Sequence, residues 1–104
     1  MAGDDPDLRP VADVLSLGGG RYFLEVARSD SIRQAAERLG IAPSAISRQI
    51  TRLEHGLNAQ LIERRADGVV LTQAGRVLLT HLEAIQDRLD RIGEDIADLN
   101  ALRR

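Results

Sequence analysis

Ser31 to Glu54 reads SIRQAAERLGIAPSAISRQITRLE, and these twenty-four residues have the layout of a helix-turn-helix. Ala36, Gly40 and Ile46 fall where two helices crossing at a tight turn need a small residue, a flexible one and a buried branched one. A side chain larger than a methyl at Ala36 pushes the helices apart, and Gly40 takes the left-handed conformation that ends a helix without a Cβ penalty. The Ser31 hydroxyl is placed to cap the free N–H groups of Ile32 to Gln34, starting a helix that runs to about Leu39. Pro43 sets the first turn of the next helix, at the position where a missing N–H costs nothing. In that helix Ile46, Ile50, Leu53 and Leu57 recur at spacings of 4, 3 and 4, which is the pattern of a buried stripe. At about 100° per residue the opposite side carries Ser44, Arg48, Thr51, Arg52 and His55. A polar side rich in arginine and small hydroxyls suits a helix laid in the DNA major groove, the common use of this motif.

Working outward, Leu61-Ile62-Glu63 and Val69-Val70-Leu71 are short β-prone runs around Arg64-Arg65-Ala66-Asp67-Gly68. An Asp-Gly turn between them reads as a hairpin. Beside a helix-turn-helix such a hairpin is a wing, with Arg64 and Arg65 positioned for phosphates or the minor groove; the alternative is an ordinary hairpin with solvated arginines. On the N-terminal side, Gly18-Gly19-Gly20 separates RYFLEVARS from residues 1–16, whose two prolines and four aspartates suit a flexible acidic tail. In RYFLEVARS, Tyr22, Phe23, Val26 and Ala27 share one face at helical spacing, and the aromatics read as core rather than as a base-stacking platform.

Thr72 caps a long final helix in which Leu78, Leu82, Ile85, Leu89, Ile92, Ile96 and Leu99 are spaced 4, 3, 4, 3, 4, 3. A seam of this length exceeds what one small domain covers, so burial against a second copy is expected; the alternative is a helix folded back on its own domain. Gly93 lies off the seam and weakens the helix by roughly 1 kcal/mol relative to Ala. The expected organisation is therefore a tail over 1–16, a winged helix-turn-helix over 17–71 and a linker helix over 72–104. The fold class is mainly α, with a short β-hairpin wing and a long C-terminal dimerisation helix.

Length and charge agree with this layout. A chain of 104 residues is one domain's worth, too short for an additional ligand-binding domain. The formal charge of -2 is unevenly spread: residues 28–76 carry eight arginines against five acids, whereas both flanks are acidic. Screening over about 8–10 Å makes local charge the quantity a phosphate backbone meets. Every basic residue is arginine, which suits phosphate and guanine edges but equally reflects genome composition. With no cysteine, and with His55 and His81 far apart in sequence, no metal site, cofactor or catalytic constellation is expected. The N-terminus lacks a signal-peptide pattern and no stretch reaches the roughly 20 apolar residues of a membrane span, which points to a cytoplasmic protein without membrane attachment.

From about Arg21 to Gly75 the chain resembles the N-terminal winged helix-turn-helix of LysR-type transcriptional regulators. RYFLEVARSDSI, AAERLGIAPSAISRQITRLE, LIERR and LTQAG carry the resemblance. It implies a DNA-binding dimer whose long linker helix pairs two chains antiparallel, and it implies that Ser47, Arg48 and Arg64 contact DNA. RNA polymerase is a further candidate partner. Ala42-Pro43 departs from the family, which has a serine and a polar residue there, so readout shifts to Ser44 or to backbone. Ile62 replaces a usual phenylalanine, and the glycine run replaces a usual leucine-containing start of the first helix, so a shortened first helix is expected; these 104 residues hold no counterpart of the family's effector-binding domain, which leaves both an excised fragment and a natural minimal form open.

The expected mechanism is transcription regulation by sequence-specific binding to double-stranded DNA. Ser44, Ser47, Arg48, Thr51 and Arg52 read bases; Ser31, Arg33, Arg64 and Arg65 hold phosphates. Dimerisation through Leu78, Leu82, Ile85, Leu89, Ile92, Ile96 and Leu99 makes the operator pseudo-palindromic. The rival reading is a protein-interaction module in which the acidic total charge repels DNA.

Overall fold

A computed structural model describes residues 19–103, so the acidic tail expected at 1–16 lies outside the described residues. The chain forms α1 (Gly19–Ser29), α2 (Ile32–Leu39), α3 (Pro43–Leu57), the strands β1 (Ile62–Arg65) and β2 (Gly68–Leu71), and the long α4 (Gln73–Leu102). This is the expected mainly α winged helix-turn-helix followed by a long helix.

Helix α1 begins inside the glycine run, where Gly19 and Gly20 are helical and buried. Both glycines are thus part of α1. Gly20 lies in a hollow with Leu24, Leu82 and Ile85, and contact with α4 outweighs a helix cost of roughly 1 kcal/mol per glycine. Phe23 and Val26 are fully buried. Leu24, outside the face read from sequence, is buried as well. Helix α1 meets α2 and α3 as well as α4, which widens its buried sector beyond one stripe.

The turn forms as its residues dictate. Ser31 Oγ accepts the Gln34 N–H at 3.2 Å, and Gly40, at φ 68°, ends α2. The Ile41 N–H then donates to the Ala36 carbonyl at 3.1 Å. Ala36 is 2% exposed and Ile46 is 0% exposed, which fills the crossing as expected. Pro43 stands in the first turn of α3 behind Ala42, which supplies no side-chain cap. Ile46, Ile50 and Leu53 are buried and Leu57 packs against them, and Asn58 ends the helix in the left-handed region at φ 51°. Each such fully buried aliphatic side chain contributes roughly 1.5–3 kcal/mol.

Strands β1 and β2 pair antiparallel with Ile62 opposite Leu71, Glu63 opposite Val70, Arg64 opposite Val69 and Arg65 opposite Gly68. Arg64 and Arg65 are thus strand residues, and the loop shrinks to Ala66-Asp67. Gly68 opens β2 at φ 143°, and a Cβ there would run into the Asp30 carbonyl. That carbonyl also accepts the Val69 N–H at 3.0 Å, tying the wing to the junction between α1 and α2.

Glu54 anchors the other end of the hairpin: its carboxylate accepts the N–H groups of Leu61 at 2.8 Å and Ile62 at 3.4 Å. Thr72 Oγ1 caps α4 by accepting the Gly75 N–H at 3.0 Å, while its hydroxyl donates to the Gln60 carbonyl at 2.6 Å.

The heptad seam of α4 divides in two. Leu82 is 7% exposed and Leu78 packs on the same core, so this stretch folds onto its own domain. Helix α1 and the hairpin cover these first turns of the stretch read as a dimer surface from Leu78 to Leu99. Ile85, Leu89, Ile92, Ile96 and Leu99 remain 46–61% exposed. No described helix is long and apolar enough to cross a membrane.

Candidate nucleic-acid interface

Helix α3 turns its buried stripe toward α1 and α2, so its other side faces solvent. Ser44, Arg48, Thr51, Arg52 and His55 are all exposed there. Ser47 differs: it lies about 90° from the buried stripe and is half-buried. The expected base-reading set is therefore four exposed side chains with Ser47 at their flank.

The four residues expected to hold phosphates converge. Ser31 and Arg33 at the start of α2, and Arg64 and Arg65 at the tip of β1, line one open cleft of about 590 Å³, floored by Ile32 and Val69. The bond from the Val69 N–H to the Asp30 carbonyl holds β2, which contributes Gly68 and Val69 to the cleft, against the start of α2, and Gly68 permits that approach. Arg64 lies on the hairpin face shared with Ile62 and Val69, whereas Arg65 lies on the other face beside Glu63, with its guanidinium 3.3 Å from that carboxylate. Both partners are more than half exposed, so the pair contributes little to stability and leaves the guanidinium available to another anion.

Two residues that shape this interface were not identified from sequence. Glu54 entered only as the last residue of the helix-turn-helix stretch, yet it fixes the wing's first strand relative to the end of α3. Its contact spans seven residues and depends on how α3 ends at Asn58, which no local pattern signals. Asp30, at φ 57°, likewise works through its backbone carbonyl.

This architecture has known relatives. Residues 19–76 match the family model described as bacterial regulatory helix-turn-helix protein, lysR family. The chain belongs to the lysR family. It carries that family's helix-turn-helix DNA-binding domain. Over 86 residues this lysR-family chain is 43% identical to an uncharacterised HTH-type transcriptional regulator, y4mQ, of Sinorhizobium fredii (strain NBRC 101917 / NGR234), a match covering 83% of the chain and 29% of the relative. It is 46% identical over 65 residues to the nitrogen assimilation regulatory protein nac of Escherichia coli (strain K12), covering 62% of the chain and 21% of the relative. The chain thus spans less than a third of the length of these relatives. Among solved structures it is similar to the crystal structure of the BenM_DBD/catB site 1 DNA complex, with a TM-score of 0.73 and 31% identity over 80% of this chain and 93% of that one.

Proposed function

We propose that this lysR-family chain binds double-stranded DNA as a homodimer in the cytoplasm and regulates transcription by recognising a pseudo-palindromic operator. The observation that carries the proposal is the pairing of two surfaces on one rigid frame: the exposed arginine and hydroxyl side of α3, and the cleft where Ser31, Arg33, Arg64 and Arg65 meet. The similarity to a protein–DNA complex supports it.

In this reading α3 enters the major groove. Ser44, Arg48, Thr51 and Arg52 meet base edges with Ser47 at the flank, and a bidentate arginine contact to guanine contributes on the order of 1–3 kcal/mol of discrimination. The cleft takes phosphates, and its arginines supply salt-dependent affinity without sequence preference. Residues 17–71 form the DNA-binding unit and 72–104 the linker through which two copies pair, with Ile85 to Leu99 as the exposed part of the seam. RNA polymerase is a further partner in the regulatory step.

Selection of random duplexes by the purified protein supplies the operator and the spacing of its half-sites. Against that operator, Arg48→Ala is expected to weaken binding by about tenfold or more while leaving circular dichroism and dimerisation unchanged. An unchanged isotherm for that variant overturns the assignment of α3 as the reading helix.

A further inference from the structure

Resting on the reading of the cleft of Arg33, Arg64 and Arg65 as a phosphate site, we propose that the chain's own acidic run Asp4-Asp5-Pro6-Asp7 occupies this cleft in the absence of nucleic acid, so that DNA must displace it. Three arginines line the cleft against one acid, Asp67. Glu63 offsets Arg65 in part, and among the described residues neither Arg33 nor Arg64 has a salt-bridge partner. The cleft thus carries a surplus of positive charge open to any anion that reaches it. Residues 1–16 hold four aspartates against one arginine, and Asp4, Asp5 and Asp7 place three of these carboxylates within four residues. The acids of the C-terminal flank are less suited, because α4 holds them and leaves from the opposite end of the hairpin.

Reach favours the N-terminal segment. Helix α1 leads directly into the cleft: it ends at Ser29, the Asp30 carbonyl bonds the wing and Ser31 is in the cleft lining. Its 11 residues rise about 1.5 Å each, so Gly19 stands roughly 16 Å from that edge. Asp7 lies twelve positions before Gly19, and an extended chain spans about 40 Å over that number. The carboxylates therefore arrive with more than twice the length needed, which leaves slack to pass round the helix. A tether of this length holds them at an effective concentration on the order of millimolar, so even a contact of millimolar affinity is about half occupied. Exposed ion pairs are individually weak, and a duplex that brings many phosphates at once displaces them. Because the cleft takes phosphate and not bases, the acidic run lowers affinity for every duplex by the same factor.

The contact is tested first without DNA. The chain has no cysteine, so a spin label on Ala2→Cys is unique. It should broaden the backbone N–H signals of residues 31–33 and 64–69, and about 0.5 M salt should restore them. Unbroadened cleft signals overturn the proposal, as does equal broadening in an unlabelled chain mixed with the labelled one, which would assign the contact to another copy. The second test reads DNA affinity of the full chain. Asp4→Asn/Asp5→Asn/Asp7→Asn should tighten binding to operator and random duplex alike by about threefold at low salt, and this gain should disappear when Arg33→Ala/Arg64→Ala is also present. An equal gain with and without the two arginines shows diffuse repulsion and overturns occupation of the cleft. A parent chain that binds no duplex while the label still broadens the cleft removes the DNA reading and leaves the contact standing.

Discussion

Gly40 and Gly75 both sit at helix boundaries, yet different forces hold them. At Gly40 nothing lies within 4 Å of the position a Cβ would take, and the constraint is its φ of 68°. At Gly75 the backbone is ordinary helix, but a Cβ would meet the Leu61 carbonyl, so here the constraint is space. Alanine at 40 is expected to cost about 1 kcal/mol of strain. Alanine at 75 forces the start of α4 away from the strand, at about 2–3 kcal/mol if the overpacking is not relieved. Thermal unfolding of the two variants checks this ordering, and equal melting temperatures would show that the helix start yields at no greater cost than the backbone strain at 40. Ser31 and Thr72 illustrate the opposite case, in which local chemistry is enough. Each was identified as a cap from its place before a helical pattern, and each accepts the expected backbone N–H.

At the scale of elements, α4 is two helices in function. Its first turns complete the domain through Leu78 and Leu82, and the rest extends away with both flanks exposed. Gly93 lies in this second part with open space around its missing side chain. Gly93→Ala should therefore stabilise the helix by roughly 1 kcal/mol. A lower melting temperature for that variant would reveal a close contact at this position in the assembly. Leu89→Asp places a charge in the middle of the apolar stripe and should convert the proposed dimer to monomer in sedimentation; an intact dimer sinks the pairing through α4. The hairpin is governed by its neighbours instead. Its register was beyond the sequence pattern because the stops that set it, Glu54 at one end and Asp30 at the other, come from helices and their junctions.

Over the whole molecule, an acidic total conceals a basic middle segment. The fold concentrates that charge further by bringing Arg33 to Arg64 and Arg65 across one cleft. Binding should fall steeply with salt, and Arg64→Ala and Arg65→Ala should each reduce the slope of log K against log salt by about 1 while lowering affinity evenly across sequences. A slope identical to that of the parent would remove the wing from the phosphate contacts. Total charge alone argues against nucleic acid. Its placement argues for it, since exposed charges act only over about a Debye length.

The helix-turn-helix was legible in the sequence because its determinants are local: a cap at Ser31, a left-handed stop at Gly40, a proline start at Pro43 and a stripe of fixed period are read within a few residues of one another. The polar side of α3 followed from the same geometry. Tertiary structure decided what depends on distant partners. It absorbed Gly19 and Gly20 into α1, where α4 packs beside Gly20. It joined Ser31, Arg33, Arg64 and Arg65 into one cleft, because a backbone bond from Val69 to Asp30 ties the wing to the turn. It also ended the self-packed part of the seam after Leu82, because periodicity marks which face of a helix is apolar but not how far the rest of the domain reaches along it.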